Sequence, residues 1–250
     1  MIWYYVTSMK HIPNFITSLN LAAGFTAVIL ASNGYLAAAS WLILAAMQFD
    51  FLDGFAARLL KAYSETGKEL DSLADVVSFG VAPAFIIYKL LVPLLDESAA
   101  ILAFITVLMP VCAALRLAKF NIDPEQSISF KGLPTPANAM AVISLVIAAR
   151  YSSVPVVNSF IQSPAALIVY SVVLSILMVT RIPLLSLKFR NLKFKGNEGR
   201  YILIGFVLIS FVIFGFAAAP MIIPGYIIIS LVTNYLPPHP QGGLEIPHGI

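Results

Sequence analysis

The sequence predicts an all-α, polytopic membrane protein, and three features carry that expectation. Hydrophobic residues make up 60% of the 250 residues and charged residues only 11%, with a mean hydropathy of +0.91; an ordinary soluble domain carries about 25% charged residues. The apolar residues gather into stretches approaching the roughly 20 needed to cross a bilayer as helix. Lys and Arg fall unevenly between the connecting loops, as they do where cytoplasmic loops collect positive charge.

Eight stretches read as transmembrane helices: 14–33, 35–61, 71–95, 98–118, 134–151, 162–180, 201–217 and 219–236. The first opens at Pro13, a residue suited to the first turn of a helix. Its length and the lack of a small-residue cleavage pattern make it a retained helix rather than a signal peptide. Asn14, Thr17, Asn20 and Gly24 form a polar stripe along it, which either lines a ligand site or packs helices together. The second and third stretches hold four aspartates. The fourth contains Cys112 and ends in Arg116 and Lys119. Gly132, Pro134 and Pro136 shape the entry into the fifth. Between the sixth and seventh, RIPLLSLKFRNLKFKGNEGR alternates basic residues with Leu and Phe, as either an interfacial element on anionic lipid or a plain connector. No repeat or linker divides the chain, so residues 1–236 read as one transmembrane domain. The Pro- and Gly-rich tail 237–250 is expected to be disordered, its last residues open to being an appended remnant.

With the N-terminus inside, Lys10, Arg58, Lys61, Lys68, Arg116, Lys119, Lys131, Arg181, Lys188, Arg190, Lys193, Lys195 and Arg200 lie on the cytoplasmic side, and only Lys89 and Arg150 on the other. Both termini then lie inside and the loop at Asp96 and Glu97 outside. A net charge of +3, gathered on one side, points to anionic headgroups or phosphorylated substrates rather than nucleic acid. The lone Cys112 excludes a disulfide framework and a cysteine-based metal site. His11, His239 and His248 have no ligand-like spacing.

The chemistry concentrates in QFDFLDGFAARLLKAYSETGKELDSLAD, which carries Asp50, Asp53, Asp71 and Asp75. An ionised carboxylate beside membrane apolar segments is costly unless paired or holding a cation. At about 100° per residue, Asp50, Asp53, Gly54 and Ala57 share one side of a helix, and Asp71 and Asp75 stack a turn apart on the next. A hairpin through Ser64 to Gly67 brings the pairs face to face. The resulting oxygen-rich site suits Mg²⁺, Mn²⁺ or Ca²⁺, and two divalent ions would roughly neutralise it. The site opens toward the cytoplasm. Gly54 and Ala57 leave room for a bulky ligand, and Arg58 is placed to meet a phosphate oxygen. For Asp71 taken alone, capping of the third helix is the competing reading.

The spacing of Asp50, Asp53, Gly54, Ala57, Arg58, Gly67, Asp71 and Asp75 resembles the complete signature of the CDP-alcohol phosphotransferases. DSLADVVSFGVAPA, ALRLAKFN and FKGLPTPANA are similar to segments of the serine-using branch, the CDP-diacylglycerol–serine O-phosphatidyltransferases. The resemblance implies a six-helix core plus two further helices, a homodimer, and transfer of the phosphatidyl group from CDP-diacylglycerol to L-serine with release of CMP. It makes Asp50, Asp53, Asp71 and Asp75 ligands of two divalent ions, Mg²⁺ or Mn²⁺, with Asp75 also the general base. CDP-diacylglycerol would lie against Asn14, Thr17, Asp50, Gly54, Ala57, Arg58 and Asp71, while Gly67 would permit the turn.

Serine is a zwitterion, so its pocket needs a cation for the carboxylate. Arg116, Lys131 and Lys119 are the candidates, with Asn121 and Ser78 for further polar contacts. Glycerol 3-phosphate or inositol phosphate is the alternative acceptor. A membrane metal-ion transporter is the alternative from another class, but it would distribute carboxylates across the membrane rather than at one end.

Overall fold

In the computed structural model, which describes residues 11–122, 130–185, 194 and 197–235, the first two helices form a tight hairpin. Helix α1 (His11–Ser32) meets α2 (Leu36–Leu59) through Gly34, whose φ of +85° favours glycine. Ala23, Gly24, Ala27 and Ala31 are buried on α1, and Ala39, Ile43 and Ala46 on α2. Small side chains let the backbones approach, and in lipid that close packing is what associates helices.

Helix α3 (Glu65–Asp75) begins at Ser64, whose hydroxyl accepts the Gly67 N–H at 3.0 Å, a normal N-terminal cap. A π-helical segment, Val76–Val81, then leads into α4 (Ala82–Leu91). The whole run, Glu65–Leu94, has 30 residues. It starts six residues before the expected 71–95, because the Ser64 cap adds polar turns ahead of the apolar stretch. With Ser64 in that role, Asp71 is not the cap.

A 3-10 stretch, Glu97–Val107, runs into α5 (Leu108–Ile122). Next come β1 (Phe130–Lys131), α6 (Thr135–Tyr151), α7 (Pro155–Ile161), α8 (Pro164–Val179) and β2 (Pro183–Leu184). Helices α7 and α8 are bent 83° apart, so a short helix precedes the expected sixth span. The antiparallel β1–β2 pair was not anticipated from the sequence. It closes the end of α8: Gly132 N–H donates to Ile182 O at 2.9 Å and Leu133 N–H to Leu177 O at 2.8 Å, the latter using a carbonyl that the helix end leaves free. Gly132 has φ +75°, and a side chain there would meet the carbonyl oxygens of Thr180, Met178 and Leu177 at 2.6–3.0 Å.

Helix α9 (Glu198–Phe214), a 3-10 stretch (Gly215–Met221) and α10 (Ile222–Tyr235) complete the described chain. The helical run Glu198–Thr233 has 36 residues and would be about 54 Å long if straight. It folds back instead: Gly199 lies against Thr233, and Gly225 against the Phe206 ring. The reversal follows Gly215, at φ +56°, and yields the two arms expected as 201–217 and 219–236.

Among the described residues, five runs are long and apolar enough to cross a membrane, six if α7 and α8 form one broken span. The difference from eight arises at α6, which has only 17 residues, and in the last run, which holds two arms. The chain is a polytopic, all-α integral membrane protein with one two-residue strand pair among its described residues. The first ten residues, the tail 237–250 and most of the basic segment before α9 lie outside the described residues.

Candidate active site

The end of α2 and the start of α3 bring carboxylates together as their spacing predicts. One oxygen each from Asp50, Asp53 and Asp71 lies within 4.8 Å of the other two. Asp53 is buried, while Asp50 and Asp71 are half-buried. Asp53 Oδ2 and Asp71 Oδ1 are inaccessible and have no hydrogen-bond partner among the described residues. Orphaned carboxylate oxygens facing other carboxylates are unfavourable unless a cation satisfies them. Three hard oxygen donors in that arrangement fit a divalent ion of the Mg²⁺ or Mn²⁺ kind.

Asp75 stands outside this trio, one helical turn beyond Asp71, so the four expected ligands do not form one equivalent set. It is buried, in electrostatic reach of Asp50 and Asp71. Asn20 Nδ2 donates to Asp75 Oδ1 at 3.2 Å, while the Asn20 carbonyl accepts the Ser78 hydroxyl at 3.0 Å. Gly24, one turn along α1, touches Ser78. Thus α1 is pressed against the α3–π junction, and the π segment immediately follows Asp75. Asn138 of α6 donates to the Phe79 carbonyl at 3.0 Å, holding that segment from the other side.

The remaining signature residues surround the trio. A side chain at Gly54 would meet no atom within 4 Å, so the space expected there is open. Ala57 is half-buried, and the exposed Arg58 donates from Nε to Gly54 O at 2.9 Å. Thr17 lies beside Asp53, its hydroxyl donating to Pro13 O at 3.0 Å. Gly67 corrects the expectation of a turn residue. It lies inside the first turn of α3, where a Cβ would stand 2.8 Å from Asn14 Oδ1 and 2.9 Å from Ser64 Oγ. Glycine is needed there for the approach of α1, and it is Lys61, at φ 50°, that takes the left-handed conformation in the reversal.

The expected serine contacts separate into different roles. Arg116 is buried, in electrostatic reach of Asp75 and Tyr226, and its Nε has no hydrogen-bond partner among the described residues. Asn121 is occupied elsewhere: its Nδ2 donates to Ser72 Oγ at 2.9 Å and its carbonyl accepts Lys68 Nζ at 2.8 Å, tying α5 to α3. Ser78 is fully buried and committed to Asn20. Ser78 is thereby closed off from a ligand in this arrangement, while Asn121 keeps its Oδ1 and a second amide N–H. Lys119 is exposed. The Lys131 backbone pairs with Pro183 in the strand clamp, and its side chain lies outside the described residues.

Two residues join the site without having been singled out for it. Asn20 belonged to the polar stripe, and its spacing with Thr17 and Gly24 was the available signal. Tyr226 carried none, being one aromatic in an apolar stretch. A cavity of about 630 Å³ opens at the opposite helix ends, lined by residues including Tyr35, Trp41, Arg150 and Tyr151. It shares no residue with the carboxylate site.

Comparison with known proteins agrees with this geometry. The profile of the CDP-alcohol phosphatidyltransferase family matches residues 10–187. The chain is 37% identical over 149 residues to the archaetidylserine synthase of Methanothermobacter thermautotrophicus, covering 59% of this chain and 62% of that protein. It is 40% identical over 147 residues to the CDP-diacylglycerol–serine O-phosphatidyltransferase of Mycobacterium leprae, covering 56% of this chain and 47% of that protein. Its match to the CDP-diacylglycerol–serine O-phosphatidyltransferase of Bacillus subtilis is 36% over 174 residues, 70% of this chain and 89% of the relative. The matched stretch thus spans about half to nine-tenths of these relatives. Residues 10–187, which the family profile matches, contain all four aspartates together with Asn20 and Asn138, and the chain belongs to the CDP-alcohol phosphatidyltransferase family.

Proposed function

We propose that the chain transfers the phosphatidyl group of CDP-diacylglycerol to the hydroxyl of L-serine, giving phosphatidylserine and CMP. The observation that carries the reading is the carboxylate trio beside a separate buried aspartate, Asp75, oriented by Asn20. The names of the relatives support serine as the acceptor.

The division of the aspartates supports a division of labour. Asp75 takes the serine proton as the hydroxyl oxygen bonds to the phosphorus bearing the lipid, and the bond from that phosphorus to the CMP oxygen breaks. A neutral hydroxyl is a weak nucleophile, and a positioned carboxylate removes its proton as the bond forms. The Asn20 hydrogen bond holds one Asp75 oxygen, leaving the other for the acceptor.

The family is divalent-metal dependent. Asp50, Asp53 and Asp71, with Asp75 at the edge, would hold two ions, Mg²⁺ or Mn²⁺, which when bound neutralise the pyrophosphate and the departing CMP. Asn14, Thr17, Gly54, Ala57, Arg58 and Gly67 border the CDP moiety together with Asp50 and Asp71, Gly54 by leaving space and Arg58 by offering its remaining guanidinium donors. Arg116 receives the serine carboxylate, with Lys131 as a second cation.

The charge distribution supports a site and both termini on the cytoplasmic side. Residues 1–236 are taken as one catalytic domain, and assembly as a homodimer rests on the family resemblance.

The deciding experiment measures CMP release by purified protein from CDP-diacylglycerol with Mg²⁺ or Mn²⁺, comparing L-serine, glycerol 3-phosphate, inositol phosphate and no acceptor. Serine-dependent release yielding phosphatidylserine is expected. Release only with another alcohol would replace the acceptor.

A further inference from the structure

The cavity at the helix ends remote from the carboxylates takes no part in the chemistry described above. Its volume, about 630 Å³, falls within the roughly 300–1,000 Å³ typical of ligand sites. Trp41 on its wall and Asp53 at the carboxylate site stand on the same helix, α2, about 18 Å apart along the axis at 1.5 Å per residue. The two sites are therefore separate.

Most of the lining is apolar, with Leu36, Ala38, Leu90, Val146, Ala149 and Ile161. The rest of the wall is aromatic and braced. Trp41 Nε1 donates to the Tyr151 hydroxyl at 3.3 Å, and the two rings meet edge to face at 6.3 Å. Phe216, from the reversal between α9 and α10, packs on Tyr151 at 5.4 Å. Trp and Tyr gather at the depth of the lipid headgroups, which gives the cavity an apolar interior and a mouth at the membrane–water boundary.

Two donors at that mouth have no partner. Tyr151 accepts from Trp41, and its own O–H has no acceptor among the described residues. Arg150, exposed in the last turn of α6, has neither a hydrogen bond nor an ion pair among them. The helix end does not need it, because Ser152 caps Ala148 O through its N–H at 2.9 Å and its hydroxyl at 2.6 Å. Lys89, the other cation that the charge pattern assigns to this side, donates to Ser32 O at 3.0 Å, at the C-terminal end of α1 where positive charge is favoured. Of the two, Arg150 is the one available to a group outside the chain, and its planar donors match a phosphate.

We propose that this cavity binds one anionic phospholipid from the leaflet opposite the carboxylate site, its phosphate on Arg150 and Tyr151 and an acyl chain in the apolar groove. Charge complementarity selects the occupant. The groove takes a hydrocarbon chain and the mouth takes an anion, and a phospholipid without a balancing headgroup cation supplies both. The bound lipid would bridge the α1–α2 turn, the end of α6 and Ile161 of α7.

The test titrates the purified full-length protein in detergent with phosphatidylglycerol or phosphatidylcholine of the same chains, counting bound lipid by native mass spectrometry. It compares wild type, Arg150→Gln and Ala38→Phe; both positions are exposed, so the packed core is left intact. Wild type is expected to bind phosphatidylglycerol roughly fivefold more tightly than phosphatidylcholine, the scale of one basic residue beside an anionic headgroup. Arg150→Gln should bring the two lipids within about twofold of each other. Ala38→Phe fills the groove without touching the charge and should cause loss of binding for both lipids. A preference that persists in Arg150→Gln overturns the proposal, because the anion is then held elsewhere, and so does equal binding of the two lipids by wild type. Unchanged binding in Ala38→Phe overturns it as well, since the chain would then not occupy the groove. Inorganic phosphate that displaces the lipid from wild type would make this a site for a free anion and likewise overturns it.

Discussion

Asn20 and Asp75, 55 positions apart in the chain, are joined by a hydrogen bond of 3.2 Å from the amide Nδ2 to the carboxylate Oδ1. The bond links the middle of α1 to the last residue of α3. Both residues are buried, and the carbonyl of the same asparagine receives Ser78 from the π segment that follows. One α1 residue thus fixes both the aspartate and the backbone immediately beyond it.

Replacing Asn20 with Ala should therefore affect turnover more than donor binding. The backbone bond to Ser78 survives, while the carboxylate loses its only side-chain hydrogen bond among the described residues. We expect kcat to fall roughly 10- to 100-fold, at or below the lower end of the roughly 10²- to 10⁴-fold assigned to positioned proton transfer because the base itself remains, with the KM for CDP-diacylglycerol changed less than about threefold. Steady-state CMP release measures both. A fall in lipid affinity alone would mean that Asn20 serves the nucleotide.

The distinction between Asp75 and the trio predicts different phenotypes for two conservative changes. Asp75→Asn should retain metal-dependent CDP binding while losing turnover, because it removes the proton acceptor without disturbing the three clustered oxygens. Asp50→Asn removes one of those donors and should weaken CDP binding in the presence of Mg²⁺ or Mn²⁺ by an order of magnitude or more, with little effect when the metal is chelated. Calorimetric titration of CDP with and without metal separates them. Equal CDP affinity for Asp50→Asn and wild type in Mg²⁺ would remove Asp50 from the ligand set.

Much of this was legible in the sequence because two short-range rules coincide. Helical periodicity aligned Asp50 with Asp53 and Asp71 with Asp75, and the short polar stretch around Ser64 required a reversal that brings the two helices together. Apolar length located the eight arms, including the pair that folds back after Gly215. What periodicity could not supply was tertiary pairing. That the Asn121 amide would bond Ser72 and its carbonyl Lys68, or that Ser78 would bond Asn20, depends on how α1, α3 and α5 sit together, and a hydroxyl or amide in a span carries no mark of its partner. Gly67 was misread for a related reason. A glycine near a reversal suggests a turn, whereas here it admits the side chain of Asn14 from another helix. The β1–β2 clamp was invisible because two residues per strand hold no detectable alternation.

The glycines of the signature offer a test of space against packing. Gly54→Ala meets no protein atom within 4 Å, so thermal stability should change by less than about 0.5 kcal/mol beyond the small gain in helix propensity. Its KM for CDP-diacylglycerol should nonetheless rise, since the added methyl enters the room reserved for the ligand. Gly67→Ala places its methyl 2.8 Å from Asn14 Oδ1 and should displace that side chain, lowering both stability and donor affinity. Thermal unfolding in detergent, set beside KM for the lipid, distinguishes the two. An unaltered KM in Gly54→Ala would mean that the donor lies elsewhere.

Gly24→Ala should be the most damaging of the small changes, and its cause lies away from the chemistry. A Cβ at position 24 would come within 2.7 Å of the Ser78 Cα and 2.8 Å of its Cβ, so backbone as well as side chain stands in the way. Neither α1 nor the π segment has slack: α1 is held by its small-residue seam with α2, and the Phe79 carbonyl is held by Asn138. Overpacking of this kind costs about 1–3 kcal/mol, and relief by separating the two segments would lengthen the Asn20–Asp75 bond. Turnover should therefore fall along with stability. Gly24→Ser should do no better, because its added hydroxyl enlarges the clash. Measuring unfolding temperature and kcat together tests the coupling, and a Gly24→Ala protein with lowered stability but wild-type kcat would show that Asp75 keeps its alignment without the tight α1 contact.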